Sequence, residues 1–487
     1  MLKRLDYKWI VGIVFVFGLF MDLLDMTITN VALPTLAIEF AAGATTIEWV
    51  VTAYLLSLAV FIPVSGWAGD RFGTKRIFML ALFLFTAGSL LCALAWNIEA
   101  LIAFRVLQGV GGGILTPVGT AMLFRAFPPE ERARGAAILI IPMVVAPASG
   151  PVLGGYLVQY HDWRWIFLIN IPVGMAGLIF AGLFLREQKQ DSPGHVDVPG
   201  FLLAAGGLAA LMYALAQAGP HGFDDREVIV FGLTGLALII AFAALELRVA
   251  EPMIDVRLFR NRLFTAANIV QLLGQGGLMG ALFLLPLLLQ AEMGLTPLES
   301  GLTMFPQAIG VVTMVQVAGR IYGRVGPRRM MMVGMFGATL TTLAFLLVDL
   351  NTDEWWIRGI MLARGWSFAL TLIPLQTATF ATIGGADMGR ASAVFNAGRQ
   401  VAASFGVALL ATVLAARLGH YDAALGNPAT RDGALSAFHD AFIIAAALTV
   451  VGIFSSLLIS DKEAAPSMRR RGGPIPEEEE REPIAAA

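Results

Sequence analysis

GWAGDRFGTKR, residues Gly66–Arg76, returns later in the chain as GRIYGRVGPRR, residues Gly319–Arg329. Both copies keep Gly-x-x-x-[Asp/Gly]-Arg-x-Gly-x-[Lys/Arg]-Arg, and each joins two apolar runs long enough to cross a bilayer. Two further pairs fall at nearly the same separation, 259 and 256 residues against 253 for the loops. Arg105 answers Arg364 inside a run, and Arg134 answers Arg390 just before one. Near-constant offsets of this kind make the flanking segments equivalent units. The sequence therefore predicts a membrane protein built from two related halves.

Working outward, composition agrees. The 487 residues are 57% hydrophobic and 14% charged, with a mean hydropathy of +0.75, far from the range of soluble domains. The net charge of -2 says little, because the charges collect between apolar runs. Those runs fall at approximately 9–31, 49–68, 77–96, 100–123, 136–158, 165–185, 199–218, 228–247, 266–290, 300–319, 330–349, 356–379, 395–416 and 439–460. They are continuous, not the short alternating strands of a barrel, so they predict helices.

Basic residues set the orientation. Lys3, Arg4 and Lys8 precede the first run, and Arg71, Lys75 and Arg76 follow the second. Arg125, Arg132 and Arg134 follow the fourth, and later even-numbered runs are followed in the same way. The alternate loops hold only Arg164, Arg226, Arg358, Arg417 and Arg431. The positive-inside rule then places both termini in the cytoplasm of a protein of the inner (plasma) membrane. The first run is too long for a signal-peptide core and is read as a retained helix.

The expected fold is all-α: fourteen transmembrane helices in two pseudo-symmetric six-helix bundles, with the seventh and eighth as an inserted hairpin. The boundaries are 1–190 for the first bundle, 191–262 for the hairpin and its linkers, and 263–461 for the second. Residues 462–487 form a charged, Pro/Gly-bearing tail expected to be disordered and cytoplasmic. Two six-helix halves around a central cavity are a usual plan for a secondary transporter.

The first run carries the sharpest chemistry. Asp22, Asp25, Met26 and Thr29 share one helical face, and Ile13, Phe17, Phe20, Leu24 and Val31 cover the other. Two carboxylates one turn apart inside a membrane are costly and call for a reason. In low dielectric they resist joint ionisation, which favours one of them taking up a proton.

Several stretches resemble the major facilitator superfamily. GWAGDRFGTKR is similar to its signature loop, LIAFRVLQGVGGG to its helix-four motif, and ASGPVLGGYL to the helix-five motif of its antiporters. LDMTITNVALP (Leu24–Pro34), WRWIFLINIPVG (Trp163–Gly174), PLESGLTMFPQAIG and GRASAVFNAGRQ resemble the fourteen-span drug:proton antiporter branch. The likeness runs from the first span to the last. It implies a proton-coupled transporter with Asp25 as the main proton carrier and Arg105 beside it. Asp22 is an addition, open to a coupling role or to a structural hydrogen bond.

By the same resemblance Gly66, Asp70, Arg71, Gly73 and Arg76 form a cytoplasmic latch, although Lys75 and Arg76 also serve the charge bias alone. Gly323 replaces Asp70 in the second copy, which implies a latch stronger in the first half. Pro147, Gly150, Pro151, Gly154 and Gly155 allow close approach and local breaks in the helix, and are assigned to conformational switching. Ordinary helix packing accounts for part of that pattern. For Arg364 and Arg399, structural bonding and a functional role stand level.

A substrate cavity is expected from Asp22, Asp25, Thr29, Asn170, Gln271, Gln275, Phe283, Gln307, Asn396 and Arg399. No carboxylate falls clearly within the second half, which favours lipophilic monocations or neutral amphiphiles over dications. No Gly-x-x-x-x-Gly-Lys-[Ser/Thr] loop supports an ATP-driven pump. The five histidines lack metal-binding spacing, and Cys92 can form no intrachain disulfide. No enzyme, metal, cofactor or nucleic-acid partner is expected.

The leading reading is a proton-driven exporter of small hydrophobic toxic compounds. Its alternatives are a dedicated exporter of an endogenous lipid or metabolite, and a non-transporting receptor or scaffold. The bilayer and protons are its expected partners; an envelope adaptor is left open.

Overall fold

The computed structural model describes residues 6–42, 44–189, 197–249 and 256–468. Its helices are α1 (Tyr7–Glu39), α2 (Ala44–Phe72), α3 (Thr74–Ala93), α4 (Ile98–Ala126), α5 (Arg132–Tyr160), α6 (Trp165–Phe184) and α7 (Val198–His221). They continue as α8 (Arg226–Glu246), α9 (Arg262–Glu292), α10 (Leu298–Val325), α11 (Pro327–Leu343), α12 (Glu354–Ala381), α13 (Met388–His420) and α14 (Arg431–Ser456). Among the described residues there is no strand. Thirteen of these helices are long and apolar enough to cross a membrane. The fourteenth, α12, carries Glu354, Arg358 and Arg364 and is enclosed by neighbours along Thr371–Ala381.

Helix packing repeats after eight helices. In the first half α2 packs on α4, α4 on α3, α1 on α5, and α3 on α6. In the second, α10 packs on α12, α12 on α11, α9 on α13, and α11 on α14. Glycines allow these approaches. A Cβ on Gly109 of α4 would lie 2.6 Å from the Tyr54 carbonyl oxygen, and one on Gly111 would lie 2.5 Å from the Phe85 nitrogen. Side chains at these positions would push α4 off both neighbours.

The halves meet along α2 with α13 and along α5 with α10 and α12. The hairpin of α7 and α8 packs on itself, and α7 lies against both α2 and α13. It therefore covers one of the two seams. α9 is interrupted by π-helical turns at Gln271–Gln275 and Leu288–Glu292. In α10, a capping box of Thr296 and Glu299 starts the first turns, and Pro306 restarts the helix after Phe305.

Two differences from the sequence reading stand out. α1 runs eight residues past the expected end at 31, and the ordered chain extends beyond 461. Residues Ala465–Met468 form a helical turn docked on α10, where the Tyr322 hydroxyl and Ser467 Oγ lie 2.9 Å apart. The remainder of the tail reading, at 469–487, lies outside the described residues.

Candidate functional site

Asp25 is wholly buried in the first half and does not line an open cavity. Its Oδ2 pairs with Arg105 Nη1 at 2.5 Å, while Oδ1 accepts from Gln108 Nε2 at 2.8 Å and Asn170 Nδ2 at 3.2 Å. Arg105, also wholly buried, donates from Nε to the Val50 carbonyl at 3.0 Å and from Nη1 to Gln108 Oε1 at 2.8 Å. Its guanidinium stacks 4.2 Å over the Tyr54 ring. Asn170 also donates to Ser89 Oγ at 3.1 Å, which ties the cluster to α3. The carboxylate thus has three donors from α4 and α6. Such pairing makes a buried charge tolerable and makes the loss of either partner costly.

Asp22, one turn away, belongs to a second cluster. It accepts from the Tyr54 hydroxyl and, at 3.1 Å, from Thr116 Oγ1. It faces a 30 Å³ space at the meeting of the halves, shared with Asn396, Arg399 and Gln400 of α13. That space has room for one or two waters. Tyr54 is the bridge: its hydroxyl holds Asp22 and its ring supports Arg105. The sequence reading missed Tyr54 and Thr116. A phenol inside the apolar run of α2, needing a partner for its hydroxyl, was the available signal.

The expected substrate cavity is therefore divided. Asp22, Asn396 and Arg399 share the central space, and Asn396 and Arg399 also border a 10 Å³ void with Gln376. Asp25 and Asn170 lie inside the first half instead, because Arg105 and Gln108 draw the carboxylate into the bundle. Thr29 is buried with no hydrogen-bond partner for Oγ1. Gln271 is turned to the Phe395 carbonyl at 2.9 Å, and Gln307 is buried on α10. Phe283 lines a separate lateral pocket. The Gln275 side chain lies outside the described residues.

The second half lacks a matching carboxylate. At the spacings that relate Gly66 to Gly319 and Arg105 to Arg364, Leu278 and Leu284 fall where the first half has Asp25. Arg364 accordingly donates to the Leu278 carbonyl at 3.0 Å and to Thr342 Oγ1 at 2.9 Å. Structural bonding is the role this geometry gives it.

The signature loop closes the end of the bundle that carries the basic loops. A Cβ on Gly66 would lie 2.6 Å from the Gly389 carbonyl oxygen, so α2 and α13 touch backbone to backbone. Asp70 pairs with Arg125 of α4 at 2.7 Å and adjoins the first turn of α13, where a negative charge suits the helix dipole. Arg125 also donates to the Gly385 carbonyl at 2.9 Å, and Arg132 to the Phe380 carbonyl at the end of α12. The partner of Asp70 is thus Arg125 of α4, while Arg71, also named for the latch, lies at the exposed surface. Gly73 turns the chain at φ +103°, against the Glu187 carboxylate. Glu187 accepts from Lys75 N at 3.0 Å and pairs with Arg76 at 3.7 Å.

In the second copy Asp461 does the same work, accepting from Arg328 N at 3.0 Å beside Gly326. Where the first copy has Asp70, Gly323 abuts the Met468 carbonyl. Asp70→Asn is expected to loosen this end and raise maleimide labelling of a buried Ser392→Cys by about fivefold, a shift of roughly 1 kcal/mol in the closed population. Unchanged labelling would remove Asp70 from the latch.

On α5, a Cβ on Gly150 would lie 2.6 Å from Thr27 Cβ of α1, so this glycine serves close packing. Gly155 faces open space, and Pro147 and Gly154 lie within the helix. The Pro151 side chain lies outside the described residues.

Fourteen helices in two related halves, with a fully enclosed carboxylate–guanidinium pair inside the first, define a membrane carrier. The chain belongs to the Major Facilitator Superfamily, whose family model matches residues 15–407. It is 38% identical to the "Multidrug resistance protein B homolog" of Mycobacterium tuberculosis (strain ATCC 25618 / H37Rv), over 81% of this chain and 74% of that protein. It is 33% identical to the "Putative multidrug resistance protein MdtD" of Serratia proteamaculans (strain 568), over 89% of this chain and 88% of the relative. Among solved structures, the human organic anion transporter MFSD10 (TETRAN) superposes with a TM-score of 0.64 at 17% identity, covering 92% of this chain and 99% of that one. A double Trp mutant of XylE gives 0.64 at 13% identity, covering 95% and 99%. The structural likenesses bear on the fold; the relatives' names speak of multidrug resistance.

Proposed function

We propose that this carrier is a proton-coupled antiporter that exports hydrophobic monocationic or neutral drugs and toxic compounds by alternating access. The observation that carries the reading is the Asp25–Arg105 pair, fully enclosed and 2.5 Å apart. Uptake of a proton by Asp25 removes one charge and leaves Arg105 without its counterion. That change is worth several kcal/mol in a buried site and is large enough to bias two conformations. Asp22 is the carboxylate met from the central space, and Tyr54 spans from it to Arg105. A proton arriving at the seam would meet Asp22 first.

In this reading the basic loops face the cytoplasm, as do both termini, and the protein sits in the plasma membrane. The Asp70–Arg125 latch then closes the cytoplasmic end, and its release admits substrate from inside. Multidrug-resistance names among relatives more than 30% identical support the choice of substrate class.

The test is flux in liposomes under an imposed pH gradient, with a fluorescent lipophilic cation. Wild type should move the dye, and Asp25→Asn should lose at least about a hundredfold of the gradient-driven rate, near 2.7 kcal/mol. Dye movement in Asp25→Asn at the wild-type rate would remove Asp25 from coupling. Wild type that never couples dye to protons would turn the reading toward an endogenous lipid or metabolite.

A further inference from the structure

A pocket of 640 Å³ opens at the seam between α2 and α13, away from the Asp25 cluster. Its walls come from both halves and from the hairpin. α2 gives Leu55 and Leu56, α9 gives Met279 and Phe283, and α7 gives Met212 and Leu215. The floor is α13, where Ala403, Ala408, Ala411 and Ala415 leave the room that larger side chains would fill. Among the described residues no charged side chain lines it, and Thr52, Gln400 and Ser404 are polar groups in the lining. Its volume falls in the range of drug-sized ligand sites, and its mostly apolar lining with a few polar groups is their usual makeup.

Two residues, Met26 and Gln400, line both this pocket and the small space that holds Asp22 and Arg399. The apolar chamber therefore adjoins a polar one at a single end. We infer that the inserted hairpin completes a lateral binding pocket for the apolar body of a single-headed amphiphile, whose head reaches the Asp22 end. Three methionines in the lining, Met26, Met212 and Met279, supply an adaptable surface suited to ligands of varied shape. A twelve-helix carrier without the hairpin would leave this seam open to the bilayer, so α7 is what converts a groove into a pocket. The inference rests on the export reading only for the choice of a cationic head.

The experiment uses the full chain in lipid nanodiscs with no gradient. The probe is a trimethylammonium amphiphile whose alkyl chain ends in benzophenone, a photo-label that favours methionine. Irradiation should give adducts at Met212 or Met279. Excess dodecyltrimethylammonium, at about ten or more times its Kd, should reduce them about tenfold, and tetramethylammonium should not. Ala411→Phe, which fills the floor, should cause a similar loss, and Leu215→Phe on a different helix should repeat it if the first variant folds poorly.

Adducts confined to lipid-facing positions such as Met175, or undiminished by competitor because a resident lipid holds the pocket, would overturn the inference. Flux and labelling separate the two claims. A labelled, competed pocket without proton-driven flux leaves this site standing and sinks the antiport reading. Coupled flux without labelling does the reverse.

Discussion

Arg105→Ala is expected to lower the unfolding free energy by about 3–5 kcal/mol, the usual cost of stranding one member of a buried ion pair, and to abolish gradient-driven flux. The geometry leaves little room for compensation. Arg105 meets Asp25 at 2.5 Å, Gln108 at 2.8 Å and the Val50 carbonyl at 3.0 Å, and covers the Tyr54 ring. Its removal leaves the carboxylate with two amide donors and opens a void at the junction of α1, α2 and α4. The double variant Asp25→Asn with Arg105→Gln should recover most of the stability, because no charge is then stranded, while flux stays absent. Thermal unfolding in nanodiscs reads the first effect and liposome flux the second. An Arg105→Ala protein as stable as wild type would show that the pair is not a structural element. Coupled flux in the double variant would take proton transport away from it.

The second large effect is expected at Gly66. The clash is with backbone: a Cβ there would sit 2.6 Å from the Gly389 carbonyl oxygen and 2.7 Å from its carbon. No rotamer change relieves a contact of that kind, so α2 and α13 must part. Gly66→Leu should fold, since each half keeps its own core, yet should be unable to shut the basic end. Turnover is expected to fall by more than about a hundredfold, with a cysteine at Asn396 becoming reactive from that end. Near-normal turnover in Gly66→Leu would mean that the two helices never need this contact. Asp70→Asn, by contrast, weakens the same closure without forbidding it, so the two variants should differ in degree.

Much of the fold was legible because membrane solvent is demanding. Backbone groups must be paired within each segment, so long apolar runs announce helices, and the spacing of Gly66–Arg76 and Gly319–Arg329 announces their duplication. α12 was found by its run and its Arg364, although its hydropathy falls below that of its neighbours. The site was legible as a helix face but not as two environments. Spacing put Asp22 and Asp25 on one side of α1; it does not say that Arg105 and Gln108 draw Asp25 into the bundle while Tyr54 and Thr116 hold Asp22 at the seam. A difference of three residues rotates a side chain by about 60°, enough to send it to another neighbour. The Asp70 partner shows the same limit. Arg71 is adjacent in sequence, but Arg125 reaches the carboxylate because α4 ends beside it. Residues on distant helices meet only through packing, which periodicity does not encode.

The π-helical turns of α9 have a mechanical side. α1 and α9 occupy matching places, each packed on the fifth helix of its own half. α1 is an unbroken helix from Tyr7 to Glu39, and it carries both carboxylates. α9 widens its winding at Gln271–Gln275 and again at Leu288–Glu292, where the ladder is five residues deep instead of four. Each such turn stores a fraction of a residue of slack. The two arms of the carrier are alike in position yet unequal in winding, with the unbroken one bearing Asp22 and Asp25 and the widened one able to take up the movement.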